Sequence, residues 1–270
     1  MNLTFDNAGE ACARVDLAQD KPAVDLSTVT FFEPFALIYL GMFLRHYNAR
    51  GKGFQVSLPT SGAAKKYLSS QNFFAGFNFD PETLDPGLLR RFTASSSLGD
   101  LIDIEQRCGI DEEVARQVKT VMAKTSAAVD LALVEEIVAE LVSNFARHSQ
   151  GPLAALAMQW YPRLQRMNLA IGDCGVGIRS SLSSNPRHRD LANKPHYEAA
   201  WKAFQGGVSR SHEGGFGLST VLQDVEDLGG TLVLATGDGY ARKYLRGPFR
   251  YGRTAFDLPG VQIEVRIPTR

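Results

Sequence analysis

The sequence predicts an α/β protein built in two unequal parts. Strand-like and helix-like segments alternate between residues 23 and 70, a long amphipathic helical pattern occupies residues 128–148, and period-two apolar segments separated by glycine-rich turns follow it. Ala23-Val24-Asp25-Leu26-Ser27 reads as a short strand. Pro34 suits the first turn of a helix running to about Asn48, because its missing N–H has no intrahelical role there, and Gly51 and Gly53 end that helix. Phe54-Gln55-Val56-Ser57-Leu58 alternates with period two until Pro59 stops it, and a second helix is expected over 61–70. The result is a β-α-β-α unit.

From Phe77 to Gly109 the breaks Asp80-Pro81 and Asp85-Pro86 and the run Ser95-Ser96-Ser97 favour turns, which places the boundary there: a first domain over 1–80, a joining segment over 81–109 and a second domain over 110–270. Helices are expected over 111–124 and 128–148. The second carries Leu133, Ile137, Val138 and Leu141 on one stripe, and Gly151-Pro152 terminates it. Residues 153–160 and 167–171 read as a hairpin, and 260–268 as a strand with Val261, Ile263, Val265 and Ile267 on one face.

Composition narrows the function classes. The chain has 270 residues, 44% hydrophobic and 21% charged, which argues against disorder and fibrous repeats. Lys plus Arg and Asp plus Glu both total 29, so no global field draws the protein to a polyanion. Cys12, Cys108 and Cys174 form neither a disulfide framework nor a zinc spacing. The acidic N-terminus does not read as a secretory leader, and uncharged stretches such as 151–162 are too short to cross a bilayer. A cytoplasmic location without membrane association is expected.

Three constellations carry chemistry. Glu140, Asn144 and His148 recur every four residues and so share one helix face, where a carboxylate can activate a nucleophile, an Asn carbonyl can ligate Mg²⁺ and an imidazole can meet a phosphate. A plain solvated polar face has the same spacing. Ile171-Gly172-Asp173-Cys174-Gly175-Val176-Gly177-Ile178 closes an apolar strand; its glycines let a flat ligand lie on the backbone while Asp173 accepts from an exocyclic amino group. The competing reading is a tight glycine turn capped by Asp173. Gly214-Gly215-Phe216-Gly217-Leu218-Ser219-Thr220 runs into a helical pattern, and a glycine loop at a helix N-terminus presents N–H groups to phosphate. A loop that only needs positive φ is the alternative. No Walker loop occurs, and the dinucleotide fingerprint stops at Ser180.

In order and spacing, E-L-x-x-N-x-x-x-H, D-x-G-x-G-I and G-G-x-G-L followed by a helix ending in Gly229-Gly230 resemble the GHKL ATP-binding superfamily of gyrase, heat-shock chaperone, histidine kinase and mismatch-repair ATPases, over roughly 110–270. The resemblance implies a C-terminal α/β sandwich of the GHKL (Bergerat) type with ATP and Mg²⁺ as cofactors. It makes Glu140 the catalytic carboxylate, Asn144 the Mg²⁺ ligand and Asp173 the adenine anchor. Gly175 and Gly177, with Ile178, would flank the base, Gly215 and Gly217, with Leu218, would hold the phosphates, and His148 would approach them. Residues 179–213 would be the ATP lid. One departure is Gly260-Val261 where the last strand of the superfamily often begins Gly-Thr; the hydroxyl would come from Thr236 or Thr254.

The segment from Val24 to Phe32 and the helix after it resemble the STAS domains of anti-sigma-factor antagonists. Their D-S-x-G phosphoacceptor turn reads Glu33-Pro34-Phe35-Ala36 here, so the unit is expected to be a scaffold or a protein-partner surface without a phosphorylatable Ser. No phosphoacceptor His precedes the ATP module as in histidine kinases: the 111–124 helix has none, and His46 lies in the other domain. Residues 240–253 carry Arg242, Lys243, Arg246, Arg250 and Arg253 among aromatics, which reads as a solvated arm or partner contact, with nucleic acid as the alternative. Function is expected to be that of a slow Mg²⁺-ATPase or signalling switch. The alternatives are an anti-sigma-type serine/threonine kinase and a nucleotide-gated binding module without catalysis.

Overall fold

The computed structural model describes residues 1–70, 73, 102–105, 130–150, 153–206, 208 and 217–269. The expected turns at Asp80-Pro81, Asp85-Pro86 and Ser95-Ser96-Ser97, the 111–124 helix and the stop at Gly151-Pro152 lie outside the described residues. The protein is mixed α/β.

Strand β1 (Asn2–Leu3) leads into helix α1 (Phe5–Ala13), whose start is fixed by a capping box between Thr4 and Asn7. Strand β2 (Ala23–Asp25), strand β3 (Phe31–Phe32), helix α2 (Pro34–Asn48), strand β4 (Gln55–Ser57) and helix α3 (Gly62–Ser70) follow. The β-α-β-α order expected over 23–70 is therefore present. Its strands form two parallel pairs, β2 with β4 and β1 with β3. Every residue of α2 from Pro34 to Leu44 is buried, as expected of a helix that is apolar all round and covered on more than one side.

The larger part is a five-stranded antiparallel sheet, ordered β5 (Ile102–Glu105), β6 (Leu153–Tyr161), β7 (Arg166–Asp173), β9 (Arg250–Pro268) and β8 (Thr231–Lys243). Helices α4 (Leu131–His148), α5 (Gly177–Ser183), α6 (His196–Lys202) and α7 (Gly217–Asp227) share one apolar core with one face of it. Leu156, Met158, Met167, Leu169, Ile171, Ile263 and Val265 supply the sheet side of that core. On α4 the buried stripe is Val134, Ile137, Val138, Leu141, Val142 and Phe145. Ile137, Val138 and Leu141 are in the stripe as expected, while Val134 takes the place expected for Leu133, which is half-buried.

The opposite face carries the small residues Ala155 and Ala157 on β6, Ala170 on β7 and Ala235 on β8, and these belong to the same core as α2, Phe32 and Phe54. The N-terminal segment thus lies on the back of the sheet. A charged network anchors it. Glu33, which precedes α2, accepts from Arg266 at 2.8 Å and from Arg166 at 3.3 Å. Glu264, fully buried on β9, accepts from Arg266 Nε at 2.5 Å, from Asn168 Nδ2 at 3.2 Å and from the Phe35 N–H in the first turn of α2 at 3.2 Å. A carboxylate at a helix N-terminus is favoured by the orphan N–H groups there. The turn compared above with a phosphoacceptor site is consequently an internal joint between α2 and the sheet.

Two expectations for the C-terminal part are corrected. The basic strip is not a free arm but the outer end of a β-hairpin, on which Arg246, Arg250 and Arg253 stay exposed. Residues 239–242 of β8 pair with 250–253 of β9, and Arg242, Lys243 and Arg253 are engaged with Asp6, Glu226 and Asp238. The expected lid is also mostly packed structure. Residues 179–206 include α5, α6 and a 3₁₀ segment (Pro186–Asn193), and Leu182, Leu191, Ala199, Ala200, Ala203 and Phe204 are part of the core. Opening that stretch would expose a layer of buried apolar surface. The rest of the expected lid, apart from residue 208, lies outside the described residues. Among the described residues no helix is long and apolar enough to cross a membrane.

Candidate functional site

Helix α4 begins at Asp130, whose carboxylate caps the Leu133 N–H at 3.2 Å, and buries its apolar stripe against the sheet. That orientation leaves Glu140, Asn144 and His148 half-buried in one row along the border of the core. Glu140 Oε1 accepts from Arg147 Nη2 at 3.0 Å, seven residues on. The Asn144 Nδ2 atom is buried and has no hydrogen-bond partner among the described residues. A buried amide nitrogen in that condition is costly unless something else satisfies it.

Gly217, the first residue of α7, meets this row. A Cβ built on Gly217 would stand 3.2 Å from Asn144 Oδ1, 3.4 Å from Glu140 Oε1 and 3.5 Å from Asn144 Nδ2. The start of α7 therefore presents its backbone to the two polar side chains that precede it by more than seventy residues. Leu218 packs against the core beside it, while Gly215 lies outside the described residues.

The turn after β7 is stitched to the end of α4. The Val176 N–H donates to the Ser149 carbonyl at 2.7 Å, and a Cβ on Gly175 would collide with that same carbonyl. The Cβ position at Gly175 is thus filled by protein main chain. Its close approach is to Ser149. Gly177 has φ +73°, a left-handed conformation that favours glycine, and faces Thr236 Oγ1 and the Gly260 carbonyl. Thr236 accepts from the Ile178 N–H at 3.1 Å and donates to the Gly260 carbonyl at 2.8 Å, so it joins β8, β9 and α5. Thr254 instead donates to the Phe256 carbonyl at 2.8 Å. Of the two candidates for the missing hydroxyl, Thr236 is the one bonded to this turn.

Asp173 ends β7 and is buried. Its Oδ1 accepts from the Gly175 N–H at 2.7 Å, the turn cap that competed with adenine recognition in the sequence. Burial pushes its carboxyl up to about 7, opposed by hydrogen bonds from the Gly175 and Val261 backbones. Its carbonyl accepts from Gln262 Nε2 at 3.0 Å. Cys174, next in the chain, has its thiol pushed up to about 12 by burial and is no ready nucleophile.

The sequence motifs give no hint of Arg147 as the partner of Glu140, or of Ser149 and Gln262 as supports of the turn. Glu140 and Arg147 are seven residues apart, two helical turns, which puts them on the same side of α4. Contacts across the sheet leave no such spacing for the other two. Among the described residues no group of three or more His, Cys, Asp or Glu side chains is placed to hold a metal ion. Asn144 would hold one only together with phosphate oxygens. In comparisons with known proteins, no family model matches the chain, and no curated protein matches it.

Proposed function

We propose that the chain is a Mg²⁺-ATP-binding protein of the GHKL type. The observation that carries this reading is convergence: Gly217 lies against Glu140 and Asn144 while Gly175 lies against the end of the same helix, bringing three separate sequence motifs around one helix. Two features fit the nucleotide. The unpartnered Asn144 amide sits where α7 begins, and a helix start is suited to phosphate. Asp173 offers a buried carboxyl at the far side of the turn.

In this reading Asp173 accepts from the exocyclic amino group of adenine, and Thr236 keeps the turn rigid behind it. Asn144 would hold Mg²⁺ through its amide oxygen, and the first N–H groups of α7 would be the donors for the phosphates. Bound Mg²⁺-ATP would supply the γ-phosphoryl group, the bond from Pγ to the β–γ bridging oxygen breaking with ADP as the leaving group; Glu140 would orient the attacking hydroxyl and take its proton. That hydroxyl belongs to water in an ATPase and to a protein Ser or Thr in a kinase.

A second reading, a nucleotide-gated binding module, is favoured by the 3.0 Å ion pair between Glu140 and Arg147, because the pair occupies a carboxylate oxygen that an attacking hydroxyl would need. The test is calorimetry of Mg²⁺-ATP with the wild type, Asn144→Ala and Asp173→Ala. Binding by the wild type and its loss in both variants is expected. No binding by the wild type, or equal binding by all three, overturns the proposal. Phosphate release by the wild type, Glu140→Ala and Arg147→Ala then separates the readings: equal background release from all three favours the module.

A further inference from the structure

Helix α2 reaches the nucleotide site of the preceding section from behind the sheet. Its first turn is pinned by Glu33 to Arg166 and Arg266, and by the Phe35 N–H to Glu264. Two turns later Ile38 and Met42 face the end of β7. A Cβ on Gly172 would collide with Ile38 Cγ2 and would stand 3.1 Å from Gln262 Cγ and 3.5 Å from Met42 Cγ. The Cys174 thiol donates to the Met42 carbonyl at 3.2 Å and touches Met42 Sδ at 3.6 Å. Asp173 lies between these two contacts, one residue from each. Gln262, against Gly172, also donates to the Asp173 carbonyl.

We propose that Ile38 and Met42 are positioning residues for Asp173, so that the N-terminal segment forms the rear wall of the nucleotide site. Close packing transmits strain because interiors leave few voids. Gly172 has no side chain to absorb a shift of α2, and the thiol of Cys174 ties the following residue to the same helix. Movement of α2 along the sheet therefore moves the strand end that carries the carboxyl. The side chains of α2 make no claim on the ligand; they act through Gly172, Cys174 and Gln262.

This inference rests on the proposed nucleotide site, and its test separates the two. Full-length wild type, Ile38→Ala, Gly172→Ala and the double variant are titrated with Mg²⁺-ATP. Gly172→Ala forces a methyl into Ile38 and is expected to weaken binding roughly tenfold, and the double variant, which vacates that space, to recover most of the loss. A purely structural role would lower the urea midpoint with no change in Kd of the folded protein. Wild-type binding with unchanged Kd in both single variants overturns the positioning role and leaves the function standing. Absence of wild-type binding overturns the function, and positioning is then read from Cys174 alone, by the rate of iodoacetamide labelling resolved peptide by peptide. Faster labelling in Gly172→Ala, reversed in the double variant, supports the role; equal rates in all four proteins overturn it.

Discussion

The two faces of the sheet solve different packing problems. On the front, Leu156, Met158, Leu169, Ile171 and Val265 are large and meet four helices. Those helices retain a polar row at their border, Glu140, Asn144 and His148. On the back, Ala155, Ala157, Ala170 and Ala235 are small and share a core chiefly with α2, which is buried from Pro34 to Leu44, and with residues of α1 and α3. Volume is balanced in opposite ways: the front fills space from the strands, whereas the back fills it from α2, where Phe35 stacks on Tyr39 and Phe43 meets Phe54 tilted and Phe256 edge-on. The front can carry chemistry because its polar groups sit at the edge of a layer. The back, with its charges locked in the Glu33, Glu264, Arg166 and Arg266 network, acts as a joint.

The largest way to break this contrast is to open the joint. Glu264→Ala leaves the Arg266 guanidinium, the Asn168 amide and the Phe35 N–H each short of an acceptor, and is expected to cost about 3–5 kcal/mol, measured as the shift of the urea unfolding curve. Next come two neighbours on β7 that point to opposite faces. Leu169→Ala empties space at the front and should cost about 2–5 kcal/mol. Ala170→Leu overfills the back and should cost about 1–3 kcal/mol. Equal tolerance of Leu and Ala at position 170 would mean that α2 is not packed closely on the sheet.

Titration sharpens the contrast further. The folded Asp173 carboxyl stands at about 7, above its ordinary range, so the folded protein binds more protons than the unfolded chain between the two values. Its contribution to stability is full below the ordinary carboxylate range and falls as pH rises towards about 7, then levels off. Burial raises Glu264 in the same direction. Asp173→Asn should flatten part of that slope in urea melts from pH 4 to 8. On the proposed function, Mg²⁺-ATP affinity should have the opposite sign, strengthening through pH 7, because an amino donor favours the ionised carboxyl. The smallest effect is expected on the exposed hairpin. Arg253 reaches Asp238 only at 3.7 Å and is largely solvated, so Arg253→Ala should change stability by about 0.5 kcal/mol or less in the same melts.

Much of the fold was legible residue by residue. Pro34 starts α2, the strand cores at 24–25 and 55–57 are where alternation and Pro59 put them, and 153–161 with 166–173 form the expected hairpin. The misjudged segments are those whose neighbours are distant. The 240–253 strip looked like an arm because its counter-charges Asp6 and Glu226 belong to other elements. The lid looked too long because the apolar residues of 179–206 are spaced among polar ones, and only the sheet shows that they are core. At the site, the row on α4 follows from helical spacing, but the role of Gly175 does not. Its glycine is required by Ser149, twenty-six positions earlier.

The sequence by itself determined the α/β class, the α4 row and the turn chemistry after β7, because periodicity, capping and left-handed φ are properties of a few adjacent residues. The tertiary structure alone decided that α2 lies behind Asp173, that Gly217 meets Asn144, and that the turn before α2 is a buried joint. Each of these depends on matching volumes and charges between residues far apart in the chain, and no local pattern encodes which small strand face a large helix will choose.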